Sequence, residues 1–241
     1  MSLSLAQFII TPHQPNLWQR ILAVVLPAHC VCCSRSGSWL CPNCYQLIHF
    51  NLNPKQDRLW AQDQLDAVYA LAVYQPPLSD LIRALKYQRV KEVADTLAKL
   101  LYCHLTLPEC DLVTWTPISR GRLSNRGFNQ AALIGTVLSQ LLNLPSAEVL
   151  LKHKETSKQA RSSLQQRLSN LQDSIQVHPQ IYFGRLKKET GNGNSKENPL
   201  QNLAILLLDD VVSTGATLNE CARVLKEAGA GKVFGVAVGR S

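Results

Sequence analysis

No stretch of about twenty consecutive apolar residues occurs in this chain, so it offers no membrane-spanning helix. The most tempting run, Ile21 to Ser34, is short, broken by Pro27 and crowded with cysteine. Lys and Arg are missing from Met1 to Asn16, and no small-residue cleavage site follows; a secretory signal is therefore not expected. Aromatic residues make up only 6% and form no array, which argues against an aromatic stacking platform for single strands. Internal repeats are absent. Acidic residues are in deficit: 17 Asp plus Glu face 25 Lys plus Arg, a formal charge of +8. That excess suits phosphates, nucleotides or nucleic acid, although solubility alone would also account for it.

The 46% hydrophobic and 17% charged residues exclude wholesale disorder, a collagen-like fibre and a minimal disulfide scaffold. A length of 241 residues fits one large α/β domain or one domain carrying a small appendage. A cytoplasmic chain is expected, so the eight cysteines read first as thiols or metal ligands.

Five of those cysteines fall between residues 28 and 49 and mark a separate module, with a short amphipathic helix expected before it over Pro15–Leu26. Cys30-Val-Cys-Cys33 and Cys41-Pro-Asn-Cys44 form two C-x-x-C pairs seven residues apart. Two such knuckles match a closed tetrahedral zinc site with Cys30, Cys33, Cys41 and Cys44 as ligands. Cys32 and His29 stand close enough to replace one of them. Cys103, Cys110 and Cys221 lie in apolar stretches and read as core residues. The expected division is residues 1–50 for the N-terminal helix and finger, and 65–241 for the main domain.

In the main domain a strand is expected over Ala67–Tyr74, followed by two helices carrying Leu78, Leu81, Ile82 and Leu85, then Val93, Leu97, Leu100 and Leu101. Leu112–Thr116 reads as a strand, Phe128–Leu142 as a helix, and Val149–Leu151 and Ser174–Val177 as short strands. Gly184 to Asn202, rich in Gly, Asn and Lys, reads as a mobile insertion. The apolar run Leu203–Leu208, the helix Leu218–Ala228 and the run Val233–Val238 complete an alternation that argues for a parallel sheet covered on both faces.

Leu206-Leu-Leu-Asp-Asp-Val-Val-Ser-Thr-Gly-Ala-Thr217 carries the most chemistry. Ligands collect beyond the carboxyl ends of parallel strands. There Ser213, Thr214, Gly215, Ala216 and Thr217 offer hydroxyls and close backbone N–H groups that cradle a phosphate at a helix N-terminus. Asp209 and Asp210, just before them, can accept hydrogen bonds from two vicinal hydroxyls. A phosphate beside a diol describes a ribose 5-phosphate. The bland alternative, an acid pair ending a strand and a Ser-Thr-Gly turn opening a helix, explains each half but not their combination.

Asp209 to Thr217 resembles the ribose-phosphate signature of type I phosphoribosyltransferases, with Ser213 where Thr is commonest. The resemblance implies that the acid pair holds the ribose of 5-phosphoribosyl 1-pyrophosphate (PRPP) and the loop its 5-phosphate. A four-cysteine finger ahead of that signature is similar to the ComF/GntX family of competence-associated proteins. Tyr74 to Tyr87, Thr116 to Gln130 with its Arg126-Gly-Phe-Asn-Gln130 block, and Lys154, Thr156, Gln159, Arg167 and Asn170 agree with it. The insertion Gly184–Asn202 and Ile175, where Phe is usual, depart from it. The implied fold is α/β: a type I phosphoribosyltransferase-like parallel sheet with flanking helices and a small N-terminal zinc finger of four cysteines.

By the same resemblance, Ile118 to Arg122 would bind pyrophosphate, with Ser119, Arg120, Arg122 and Arg126 as candidates. The basic stretch Lys152–Arg167, including Lys154, would close over the substrate. A solvated basic face is the plainer reading of these charges. Phe128 is expected to pack, and Asn129 or Gln130 to touch ligand or backbone. The implied reaction displaces pyrophosphate from PRPP with an unidentified nucleophile, Mg²⁺ being held largely by ligand oxygens. Two rivals stay open: a non-catalytic competence factor that binds single-stranded DNA or a helicase partner, and a PRPP-binding nucleotide sensor.

Overall fold

The structure, a computed structural model, describes residues 28–51, 55–56, 64–153, 174–178 and 200–241. The helix expected over Pro15–Leu26, the basic stretch from Lys154 to Arg167 and all but the end of the 184–202 insertion lie outside the described residues.

The elements run α1 (Pro42–Gln46), β1 (Lys55–Gln56), β2 (Ala67–Val73), α2 (Leu78–Tyr87), α3 (Val93–His104), β3 (Leu112–Trp115) and α4 (Arg120–Arg126). There follow α5 (Gln130–Leu142), β4 (Leu150–Lys152), β5 (Ile175–Val177), β6 (Ala204–Val212), α6 (Ala216–Glu227) and β7 (Lys232–Arg240). The main sheet has the order β1-β2-β7-β6-β3. β2, β7, β6 and β3 are mutually parallel, with Ala70 opposite Ala237, Leu208 opposite Val236 and Trp115 opposite Leu208; β1 pairs antiparallel at the edge. The parallel sheet between helices expected from the alternation is therefore present.

Side chains that alternate along each central strand enter two separate cores. Leu206, Leu208, Val236 and Val238 pack with Leu81, Leu85, Leu97, Leu101, Ile134 and Leu138 of α2, α3 and α5. Ile205, Leu207, Val233 and Ala237 pack on the other face with Leu218, Cys221 and Leu225 of α6. This two-sided burial is why the strands read as continuous apolar runs.

The short strands near Leu150 and Ile175 do not join the main sheet. They pair with each other, Leu151 opposite Gln176, in an antiparallel two-stranded sheet whose Leu150 and Ile175 cover the α6 core. The segment after β3 that the resemblance assigns to pyrophosphate turns into α4 from Arg120 onward, stopped by Gly127 at φ 79°. Strand β6 also runs four residues past Leu208, because pairing continues from Asp209 opposite Ala237 to Val212 opposite Arg240.

Within the finger, Cys30, Leu40, Cys41, Cys44 and Ile48 are buried in the same core as α2 and α3. Tyr45 Oη and His104 Nε2 are 2.9 Å apart, and the His104 ring stacks on Phe50 at 3.9 Å. Among the described residues, no helix is long and apolar enough to cross a membrane.

Candidate functional site

The acid pair lies within β6 rather than beyond it, and the period of two splits the carboxylates between the faces of the sheet. Asp210 shares the face of Leu206 and Leu208 and meets α2: Lys86 Nζ donates to Asp210 Oδ1 at 2.8 Å. Lys86 belongs to the last turn of α2, where a cation is favoured by the helix dipole, and the buried Leu78, Leu81, Ile82 and Leu85 hold that helix against the sheet. Asp209 points the other way. Its Oδ1 accepts from Thr116 Oγ1 at 3.0 Å and from the Asp210 N–H at 2.8 Å. Burial, then the charge of Asp210, pushes the Asp209 carboxyl up to about 7, against the pull of these hydrogen bonds and of Lys86.

A cavity of about 240 Å³ opens between the carboxyl ends of β3 and β6. Lys86, Arg122, Arg126 and Lys152 bring positive charge to its wall, and Asp209, Asp210, Thr116 and Ser119 also line it. Burial and then the nearby Arg122 hold the Lys152 ammonium below its usual range. Beside it, a hollow of about 40 Å³ is walled by Asp209 and by Val211 to Leu218. All five loop residues from Ser213 to Thr217 surround this hollow. Gly215 sits at φ 75° as the N-cap of α6, and Leu218, Cys221, Ala222 and Leu225 anchor the buried face of that helix. The hollow thus faces a helix N-terminus whose cap residue has no side chain.

The basic candidates divide. Ser119, Arg122 and Arg126 line the larger cavity; Arg120 is exposed and is not among its lining residues. Lys154 lies outside the described residues. Arg126 Nη1 donates to Gln130 Oε1 at 2.9 Å, and its guanidinium lies 5.4 Å from the centre of the Tyr87 ring. Asn129 contacts backbone: its Oδ1 accepts the Ala131 N–H at 3.1 Å, capping α5, and its Nδ2 donates to the Thr116 carbonyl at 2.9 Å. Phe128 is buried as expected.

Lys86 and Thr116, which line the cavity, had no part in the ligand reading, and Lys152 entered it only within the stretch that would close over the substrate. Lys86 figured only as the end of a patterned helix, Thr116 as a strand end, and Lys152 as one charge in a basic run. Nothing local marks Lys86, because its partner is 124 residues away.

In the finger, the sulfurs of Cys30, Cys33, Cys41 and Cys44 lie within 4.8 Å of one another. A tetrahedral site with metal–sulfur bonds of about 2.3 Å needs sulfurs roughly 3.8 Å apart, so the set fits a thiolate-bound metal ion. The first knuckle is a turn closed by Cys30 N–H to Arg35 O at 2.8 Å, with Ser34 at φ 61°. Pro42 opens the short α1 and places Cys44 opposite. Burial raises the Cys30 thiol, but the N–H groups of Cys41, Cys32 and Cys33 outweigh it and bring it down to about 6. Cys32 is not part of the cluster; its Sγ donates to the Pro77 carbonyl at 3.7 Å, and burial pushes its thiol up to about 12. His29 is likewise outside the cluster and pairs through its backbone with Ser36.

No family model matches the chain. It is 30% identical over 218 residues to DNA utilization protein YhgH of Escherichia coli K12, a span of 85% of this chain and 86% of that protein. Competence protein F of Haemophilus influenzae is 30% identical over 213 residues, 82% of this chain and 79% of its own. Competence protein ComFC of Bacillus subtilis is 33% identical over 113 residues, 47% and 37% of the two chains. Among solved structures, the adenine phosphoribosyltransferase of Thermoanaerobacter pseudethanolicus overlaps 65% of this chain and 72% of its own, at TM-score 0.37 and 14% identity. That of Trypanosoma brucei overlaps 78% and 74%, at TM-score 0.36 and 15% identity. Overlaps this loose carry no weight for ligand or chemistry.

Proposed function

The chain belongs to the ComF family of competence-associated proteins, and from that premise we propose that it binds PRPP and displaces its pyrophosphate with an acceptor, in the service of DNA uptake. One observation carries this reading: the Asp209–Asp210 pair lies between two anion-suited ends, the Ser213–Thr217 hollow and the cavity lined by Lys86, Arg122, Arg126 and Lys152. A ligand that carries a diol between two phosphate-bearing groups matches that order, and PRPP is such a ligand.

In this arrangement the loop holds the 5-phosphate and the carboxylates accept from the ribose hydroxyls. The bond from the anomeric carbon to the pyrophosphate oxygen breaks, the electron pair leaves with pyrophosphate, and the acceptor's lone pair forms the new bond. Cations along the wall stabilise the departing charge. The acid pair is already engaged by Thr116, Lys86 and the Asp210 N–H, so it does not form an open carboxylate cage. It therefore suits Mg²⁺ that arrives on the ligand's own oxygens, where the ion would neutralise pyrophosphate. The four-cysteine cluster is assigned to structural zinc, and the compartment to the cytoplasm. Calorimetric titration with PRPP and Mg²⁺, followed by a pyrophosphate-release screen over candidate acceptors, tests the reading. No PRPP binding by the metal-loaded protein would end it.

A second reading, a factor that binds single-stranded DNA, gains support from one surface. Tyr87 is 70% exposed under Arg126, Arg89 donates to the Asn125 carbonyl at 2.8 Å, and Lys91 lies over Phe128 at 5.1 Å. Together these contacts join α4 to the turn after α2 into one basic face that carries an aromatic ring, a pairing suited to a single strand. Affinity for an oligothymidine should then fall steeply with salt and drop on Tyr87→Ala. Absence of binding at low salt would leave a protein partner such as a helicase.

A further inference from the structure

We propose that Lys86 is a specificity-determining residue, which holds Asp210 until a ligand brings a second anion to the diol and then passes to that anion. The inference rests on the phosphoribosyl reading. Its basis is the juxtaposition of Lys86 Nζ and Asp210 Oδ1 at 2.8 Å, both on the wall of the 240 Å³ cavity. Their side chains are only 16% and 15% exposed, so water screens the pair poorly.

The Asp210 carboxylate keeps acceptor lone pairs beside its bond to Lys86, but the ammonium draws on its charge, so a sugar hydroxyl is accepted most strongly once Lys86 releases or shares it. An ammonium that gives up a carboxylate in a half-buried cleft needs another anion, because an unpaired charge there is costly. Ribose 5-phosphate supplies one anion, and the Ser213–Thr217 hollow takes it on the far side of Asp209. A ligand with a diphosphate at the anomeric carbon supplies a second, on the side where Arg122 and Arg126 also line the wall. Lys86 then exchanges one oxygen anion for another, and Asp210 exchanges an ammonium for a hydroxyl. Both groups keep a partner. With the monophosphate alone, the exchange leaves Lys86 stranded, so Lys86 selects against ligands that lack the anomeric anion.

The position of Lys86 suits this better than a purely structural role. It sits in the last turn of α2, next to the exposed Tyr87, while the buried residues of the helix already fix its packing. The ion pair is thus not needed to seat the helix.

The test compares wild type, Lys86→Met and Lys86→Arg by calorimetric titration with PRPP and with ribose 5-phosphate, both with Mg²⁺. Wild type should prefer PRPP. In Lys86→Met, PRPP affinity should fall about tenfold or more, the change that one lost charged hydrogen bond brings. Ribose 5-phosphate should bind as well as to wild type or more tightly, since Asp210 is now free. Lys86→Arg, which keeps a mobile cation, should retain most of the preference and shows that the site still folds. Equal losses for both ligands, or unchanged PRPP affinity in Lys86→Met, would overturn the inference and leave the phosphoribosyl reading standing. A wild-type protein that binds neither ligand would bring down that reading, and this inference with it.

Discussion

The Thr116 hydroxyl donates a 3.0 Å hydrogen bond to Asp209 Oδ1, tying the end of β3 to the acid pair on β6. Asp209 nonetheless holds its proton up to about 7, since burial and Asp210 outweigh that bond. Its folded value thus lies above the ordinary 3.8 of an unfolded chain. The folded state binds more protons between those limits, and the contribution of Asp209 to stability is lost as pH rises through them. Asp209→Asn should therefore gain in melting temperature relative to wild type between pH 4 and pH 8, without ligand. Melting curves that shift in parallel at both ends would exclude this role.

Asp210→Asn keeps the shape of the side chain but removes the charge that faces Lys86 and the ligand. A charged hydrogen bond lost to the ribose costs roughly 1.5–3 kcal/mol, or about ten- to hundredfold in PRPP affinity. Calorimetry on the folded variant measures it, and an unchanged dissociation constant would remove Asp210 from the site.

Gly215 occupies φ 75°, a left-handed conformation that costs other residues about 1–2 kcal/mol. A β-branched replacement is worse, and its side chain competes for the space of the phosphate. Gly215→Val should abolish PRPP binding while circular dichroism shows the fold retained. Wild-type affinity in this variant would contradict the phosphate role of the loop.

One zinc per chain should be found by metal analysis, and replacing Cys41 and Cys44 together by Ser should release it. Binding energy at such a site is folding energy. Because Cys41 and Cys44 belong to the core shared with α2 and α3, the melting temperature should fall too. Full zinc occupancy in the double variant would refute the ligand set.

A Cβ on Gly135 of α5 would meet Trp115 Cε3 at 2.9 Å. Alanine normally gains about 1 kcal/mol over glycine within a helix, but overpacking costs roughly 1–3 kcal/mol. Gly135→Ala should lower the denaturation midpoint; a raised midpoint would mean that α5 or Trp115 shifts freely.

Some elements could be read from local pattern because local physics sets them. The period of Leu78, Leu81, Ile82 and Leu85 marks α2, and the continuous apolar runs mark β6 and β7 as strands buried on both faces. The extent of β6 was not readable this way. The apolar run ends at Leu208, and residues 209–212 stay extended beyond it because β7 offers them partners through Arg240. The Leu150 and Ile175 strands were visible as strands, yet their mutual antiparallel pairing depends on what is left beside α6.

The alternation of strands and helices, the four-cysteine spacing and the acid pair followed by a Ser-Thr-Gly loop are short-range patterns, legible from residue order alone. Long-range packing pairs Asp209 with Thr116 and Asp210 with Lys86, 93 and 124 residues away. It also set Cys32 apart from the cluster by turning it to Pro77, and left Arg120 off the cavity wall while Lys152 reached it. Such pairings arise when packed strands and helices bring distant segments to one sheet edge, and side-chain periodicity alone does not encode which segments meet there.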